Sequence, residues 1–316
     1  MSKRVIFMGT PDYATTIFKQ LLKSSYEVAA LFTQPDKPVG RKQVITPPHI
    51  KQYCIDNSLE LPIFQPERLS GNADIVTQIK QLNPDFIIVA AYGQILPKDI
   101  LDIAPCINLH ASLLPKYRGA SPIQEALLED DEYTGVTSML MEEGLDSGDI
   151  LGLQYLKITP TMEVSEAFNK LSDIAAKLTI TTLDNFKNIK PKKQNENQVS
   201  FCKKIKKEYG QIDFSSAKKL HLKYKAYSFW PGIFTKDGLK LKDVTLVEKD
   251  SINDEGIILE IGKDFITIGC KKGSIKVKTL QMPSKKALNT ADFLRGNQNL
   301  KVGSKLNETL FPENYI

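Results

Sequence analysis

An open α/β sheet, doubly wound and mostly parallel, followed by a small all-β domain resembling an OB barrel is the fold class this sequence predicts. Three observations carry it. Short apolar runs alternate with amphipathic stretches through residue 187, the rhythm of βαβ units. Runs such as FIIVAA are apolar on both faces, as strands covered by helices on each side must be. Beyond residue 211 the pattern changes to short alternating strands separated by DG, GKD and KKG turns.

In chain order, KRVIFMG reads as a strand over 3–8 and TTIFKQLLKS as a helix over 12–24. YEVAALFTQ gives a strand over 26–33, DIVTQIKQL a helix over 71–82, PDFIIVAAYG a strand over 85–90, and INLHAS a strand over 107–111. Helices follow over 121–129 and 163–187, the latter with Val164, Phe168, Leu171, Ile174, Leu178 and Leu183 on one face. The first strand-to-helix turn, MGTPDYA, lacks the later glycines of G-x-G-x-x-G, so a dinucleotide site is not supported. Residues 188–211, rich in Lys, Asn and Gln, read as a linker between domains at 1–187 and 212–316. The second domain opens with a short helix, SSAKKLHLKYKAYSF, and continues with strands near 239–248, 256–261, 265–270 and 274–281.

The net charge of +5 conceals an asymmetry. Residues 1–187 hold 17 Lys/Arg against 23 Asp/Glu, net −6, whereas residues 188–316 hold 25 against 14, net +11. A basic domain beside an acidic one is the pattern expected of a protein that meets a polyanion, and the cluster Lys203, Lys204, Lys206 and Lys207 is the first candidate contact. The other reading of that cluster is a solvated connection. The four cysteines are scattered without C-x-x-C spacing, which speaks against a disulfide framework or a zinc site. No apolar run has the length of a signal peptide or a membrane span, so a cytoplasmic location and no membrane partner are expected.

On a strand, alternate side chains share a face, so Asn108 and His110 project together while Leu109 points the other way. They sit at the carboxyl end of a strand, where open α/β sheets place ligands. Downstream, Asp146 lies in EEGLDSGDI between Gly144 and Gly148, on a loop able to aim a carboxylate at the same pocket. An amide donor, an imidazole and a carboxylate suit acyl transfer to an amine: fixed donors stabilise the oxyanion, and a base removes the proton from the attacking nitrogen. No metal is expected, since Asn is a poor ligand and the remaining histidines are remote in sequence. Read from the residues alone, the alternative is a turn cap, a satisfied interior histidine and an Asx turn.

The segment INLHASLLPKYRGASP together with LDSGD resembles the signature of the folate-dependent formyltransferases, and FMGTPDYA, LFTQPDKPVGRK, VAAYGQILP, TGVTSMLMEEG and AYSFWPG are similar to that family's segments in the same order. The resemblance implies that Asn108, His110 and Asp146 are the catalytic residues. It implies that Ser112, Leu113, Leu114 and Pro115 line the folate site, and that the 90–97 segment, with Ala90 and Tyr92, holds the pterin partly through backbone groups. The co-substrate implied is 10-formyltetrahydrofolate. The acceptor implied is the α-amino group of methionine on initiator tRNA, with the enzyme acting as a monomer. In such a protein the 33–48 loop enters the tRNA acceptor arm; here its basic residues are Lys37, Arg41 and Lys42, and Arg41 and Lys42 are the candidates for contact. Arg118 reads equally as a turn-bracing residue or a ligand contact, and Tyr227 and Trp230 as base-stacking or domain-packing aromatics. Competing readings are a formyltransferase for a small amine such as glycinamide ribonucleotide or an amino sugar, a formyl-folate hydrolase, and an RNA-binding protein with an inactive first domain.

Overall fold

The computed structural model describes residues 2–40 and 42–314. It divides the chain into two compact units: 1–122 with 132–158 and 167–203, and 123–131 with 159–166 and 204–316.

The first unit is built on a seven-stranded sheet. Its parallel part comprises β1 (Arg4–Gly9), β2 (Glu27–Phe32), β5 (Ile63–Phe64), β6 (Phe86–Ala90) and β7 (Cys106–His110). Between β2 and β5 the chain forms a hairpin, β3 (Lys37–Val39) with β4 (Val44–Thr46). A two-residue strand β8 (Arg118–Gly119) follows β7, and β9 (Tyr133–Leu140) and β10 (Ile150–Lys157) complete the sheet. The order is β10-β9-β7-β6-β1-β2-β5, with β9 antiparallel to both β7 and β10. β6 and β7 are buried at every position; β6 accordingly shows no alternation, whereas β7 alternates apolar and polar residues from Ile107 to His110.

Helix α1 (Asp12–Leu22) buries Tyr13, Ala14, Ile17, Phe18 and Leu21, the i, i+3, i+4 face of its sequence. It carries Asp12 in its first turn and Lys19 in its last, both complementary to the helix dipole. Two helices flank β5: α2 (His49–Asp56) precedes it, and α3 (Ala73–Gln81), capped by the Asn72 side chain on the Ile75 N–H, follows. A single turn α4 (Lys98–Leu101) leads into β7, and α5 (Pro122–Leu128) and α6 (Val164–Asn185) follow.

The second unit carries α7 (Ala217–Tyr227) and a six-stranded antiparallel sheet. Its strands are β12 (Ile233–Phe234), β13 (Lys240–Ile252), β14 (Ile258–Ile261), β15 (Ile266–Gly269), β16 (Lys272–Gln281) and β17 (Leu288–Asn289). The ladder runs β12-β13-β16-β15-β14, with β17 on β16. Register shifts on the long β13 between Leu246 and Glu248 and between Glu248 and Ile252 bend it, as bulges do. Its apolar residues, with Leu220 and Tyr224 of α7 and Phe293 of α8 (Thr290–Arg295), form one core, closed by Leu306 of α9 (Leu306–Leu310).

The stretch 188–211, expected to be a linker, is divided by the structure. Residues through Lys203 belong to the first unit. Lys192 pairs with Ile150, and β11 (Phe201–Cys202) lies parallel to β8. A polar composition predicts a connection when a segment lacks apolar anchors; here backbone pairing and the buried Gln194 amide hold it.

Candidate active site

Asn108 and His110 lie on one face of β7, opposite Met139 and Thr137 of β9. Their exposures are 8 % and 7 %. The Asp146 carboxylate meets both: Asn108 Nδ2 donates to Oδ1 at 3.3 Å, and His110 Nδ1 stands 3.7 Å from Oδ2. Asp146 itself adopts a left-handed conformation, φ 50°, in the loop between β9 and β10. Gly148 is required there because a Cβ would collide with the Leu140 carbonyl oxygen.

His110 Nε2 lies 2.9 Å from the Tyr117 carbonyl oxygen, which can only accept, so Nε2 carries a proton. The nitrogen facing Asp146 is therefore Nδ1, free to accept a proton in the neutral ring and to donate one in the imidazolium. The second carboxylate oxygen, Oδ2, also accepts from the Gly119 backbone N–H at 2.9 Å. Every part of this arrangement comes from β7, the turn after it, and the Asp146 loop.

The turn after β7 is braced internally. Ser112 is fully buried and its hydroxyl donates to the Lys116 carbonyl at 2.6 Å. Thr137 Oγ1 donates to the Ser112 carbonyl and accepts from the Leu114 N–H, tying the turn to β9. Of the four residues expected at a folate site here, the side chains of Ser112 and Leu114 face inward, while Leu113 and Pro115 are half-exposed. Ala90 and Tyr92 are also interior: Tyr92 is 2 % exposed and packs in the core with Met8, Phe32 and Leu96. The Tyr92 carbonyl accepts from Thr10 Oγ1 and Gln34 Nε2. What the 91–97 loop presents outward is Ile95, 79 % exposed, on a backbone turned by positive φ at Ala91 and Gly93.

Among the described residues there is no cluster of His, Cys, Asp or Glu able to hold a metal ion. Cys106 is core, as its position suggests; burial pushes its thiol up to about 12.

The loop expected to reach an acceptor arm is a hairpin whose strands expose Val39, Val44 and Ile45. Lys42 is exposed in its turn, while Arg41 lies outside the described residues. The hairpin's base is fixed: Lys51 Nζ contacts both Asp36 oxygens, and Gln65 bridges Asp36, Lys51 and the Gln34 carbonyl. The hydrogen bonds from Gln65 and Lys51 hold the Asp36 carboxyl below the usual carboxylate range. Lys203, Lys204, Lys206 and Lys207 are exposed.

Sequence reasoning missed Gln194. Its Nε2 donates to the carbonyls of Asp146 and Gly148, and its Oε1 accepts from Arg118. Arg118, whose role the sequence left open, is a brace: it is 5 % exposed and also pairs with Glu196 at 2.8 Å. No spacing rule marks a glutamine in KKQNENQ.

A carboxylate, an amide and an imidazole converge at the end of a strand of an open α/β sheet, an arrangement with the donors and the base that acyl transfer would use. The sequence profile described as "Formyl transferase" matches residues 3–183, and that described as "Formyl transferase, C-terminal domain" matches residues 204–298. Among solved structures, the N-formyltransferase from Helicobacter canadensis in complex with folinic acid and dTDP-3-aminofucose superposes with a TM-score of 0.65, covering 88 % of this chain and 98 % of that one at 18 % identity. HypX from Aquifex aeolicus in complex with tetrahydrofolic acid gives 0.63 at 16 % identity, covering 93 % and 47 % of the two chains. At these identities the likeness is one of fold. Sequence relatives are nearer: the methionyl-tRNA formyltransferase of a Nitratiruptor species is 56 % identical over 95 % of this chain and 98 % of its own. That of Campylobacter lari is 52 % identical over 96 % and 99 %. The chain belongs to the methionyl-tRNA formyltransferase family.

Proposed function

We propose that this chain transfers a formyl group from 10-formyltetrahydrofolate to the α-amino group of methionine esterified to initiator tRNA. The observation that carries the chemistry is the meeting of Asn108, His110 and Asp146, two residues of one strand face and one from a facing loop. The donor supplies an activated formyl carbonyl. Attack by the amine places negative charge on the carbonyl oxygen, and the Asn108 amide and the His110 imidazole are the polar groups able to meet it. Asp146 accepts the proton that the attacking nitrogen must lose and holds the Asn108 amide in place meanwhile; as the intermediate collapses, the bond from the formyl carbon to N10 breaks, N10 takes a proton and tetrahydrofolate leaves. With His110 Nε2–H held on the Tyr117 carbonyl, the ring cannot turn away from this task.

For the folate, the exposed Ile95 and the half-exposed Leu113 and Pro115 offer apolar surface to a flat ring, and the 91–95 backbone offers polar groups beside it. For the acceptor, the +11 charge of residues 188–316 and the hairpin at 37–46 support a nucleic acid over a small amine, which needs no extended basic surface. The identity of the near relatives supports the same acceptor. The test is direct: the protein is incubated with 10-formyltetrahydrofolate and methionyl initiator tRNA, methionyl elongator tRNA, an amino sugar nucleotide or free methionine. Rapid formylation of the initiator species alone is expected. Equal rates with a small amine would overturn the acceptor assignment.

A further inference from the structure

Gln194 is buried, at 8 % exposure, in a segment whose composition is that of a surface connection. Its amide uses every hydrogen-bonding valence it has. Nε2 donates to the carbonyl oxygens of Asp146 and Gly148, both at 2.8 Å, and Oε1 accepts from Arg118 Nε at 3.0 Å and Nη2 at 2.8 Å.

We propose that Gln194 is a positioning residue for formyl transfer, fixing the Asp146 loop so that its carboxylate stays between Asn108 and His110. The proposal rests on the reading of Asp146 as the group that takes the amine's proton. Asp146 is a non-glycine residue with φ 50°, a left-handed conformation that Asp tolerates at a cost and that its attachments here hold. Two attachments do so, and both lead to the same pair of residues. The Asp146 carbonyl is tied through Gln194 to the Arg118 guanidinium, and the Asp146 carboxylate is tied directly to the Gly119 N–H. Backbone and side chain of the acid are thus held against one short strand, β8.

The chemistry of the bridge admits only a primary amide of this length. Arg118 presents donors and the loop presents carbonyls, so the residue between them must accept on one side and donate twice on the other. A glutamate at 194 would keep Arg118 and set lone pairs against both carbonyls. Glu196, across the guanidinium at 2.8 Å, keeps Arg118 oriented toward Oε1. A mere fold anchor would use the same bonds, so the test must separate the two roles.

Full-length Gln194→Glu and Gln194→Ala are compared with wild type, each also in an Asp146→Asn background, by steady-state and single-turnover formylation well below the unfolding midpoint. Each single replacement is expected to lower kcat at least tenfold while KM for folate and for methionyl-tRNA changes less than threefold. In the Asp146→Asn background the same replacements are expected to change the residual rate less than twofold, because the group they position is already lost. Full multiplication of the two effects, or an unchanged kcat in the single variants, would overturn the proposal. If Asp146→Asn retains the wild-type rate, it is the underlying reading of Asp146 that fails, and the positioning role falls with it. If neither Gln194 variant folds, the amide is a fold determinant and the proposal is likewise overturned.

Discussion

The backbone N–H of Gly119 donates to Oδ2 of Asp146 at 2.9 Å. Gly119 has φ 123°, and a Cβ at this position would collide with the Cys202 carbonyl oxygen on the neighbouring strand β11. The same backbone geometry therefore sets the donor to the acid and admits the strand that walls the site.

Gly119→Ala is expected to lower stability by about 1–3 kcal/mol, the cost of a strained backbone at a site with no room to relax. Urea midpoints give the change. Turnover should fall even where the protein is fully folded, since β11 and β8 must separate to admit the methyl group. An alanine variant with native stability and rate would contradict the close approach.

His110→Ala is expected to reduce turnover by about 10² or more, the loss usual for an oxyanion donor, with folate affinity little changed. Asp146→Asn should retain the fold and lose rate, because an amide cannot take the proton a carboxylate takes. Equilibrium binding of folate alongside kcat separates the two effects. Near-native turnover in His110→Ala would remove the imidazole from the reaction.

A chain ending at Lys203 should melt at a higher temperature than one ending at residue 187, since residues 192–202 pair with β10 and β8 and carry Gln194. Differential scanning calorimetry of the two truncations checks this. Equal midpoints would make the 188–203 strip a passive tether.

If residues 188–316 grip tRNA, affinity should fall linearly in a log–log salt plot with a slope of about −0.9 to −0.7 per phosphate contact. Replacing Lys203, Lys204, Lys206 and Lys207 together by Ala should flatten that slope, whereas folate affinity should hold. An unaltered slope would place the contacts elsewhere on the basic domain.

Burial pushes the thiol of Cys54 up to about 11 and those of Cys106 and Cys270 up to about 12. A raised folded value favours the protonated thiol. Its stabilisation is complete below the thiol's ordinary value of about 8.5 and is lost as pH climbs toward about 12. Native protein at a pH of about 8.5 should therefore resist alkylation by iodoacetamide at these three positions and react fully in guanidinium, as peptide mapping would show.

What could be read from the sequence follows the strength of local signals. β1 and β6 were legible because a strand buried on both faces is a continuous apolar run, β7 because its apolar and polar residues alternate, and α1 and α6 because their apolar faces recur at helical spacing. Asn108 and His110 could be placed on one face from strand alternation alone; the glycines around Asp146 left its placement open, and it was the family resemblance that joined it to them. Gln194 could not be placed, because its partners are backbone carbonyls remote in sequence and leave no pattern in residue type. The burial of Tyr92 was not legible either: its side chain fills the core, while its backbone carbonyl accepts from Thr10 and Gln34. The hairpin at 37–46 was not legible because its prolines and glycine mask the strand pattern, and the bonds that fix its base come from Lys51 and Gln65 outside the segment.

Strand β11 ends at Cys202 and the C-terminal run of the second unit begins at Lys204. The profile of the first domain stops at 183 and that of the second starts at 204, so the strip bearing Gln194 falls in neither. Chimeras that exchange the second domain while retaining the first must then be joined after Cys202. A join at the end of α6 would set one parent's amide against the other parent's arginine and acid loop, and the hybrid would inherit a mismatched clamp from a segment that neither domain definition contains.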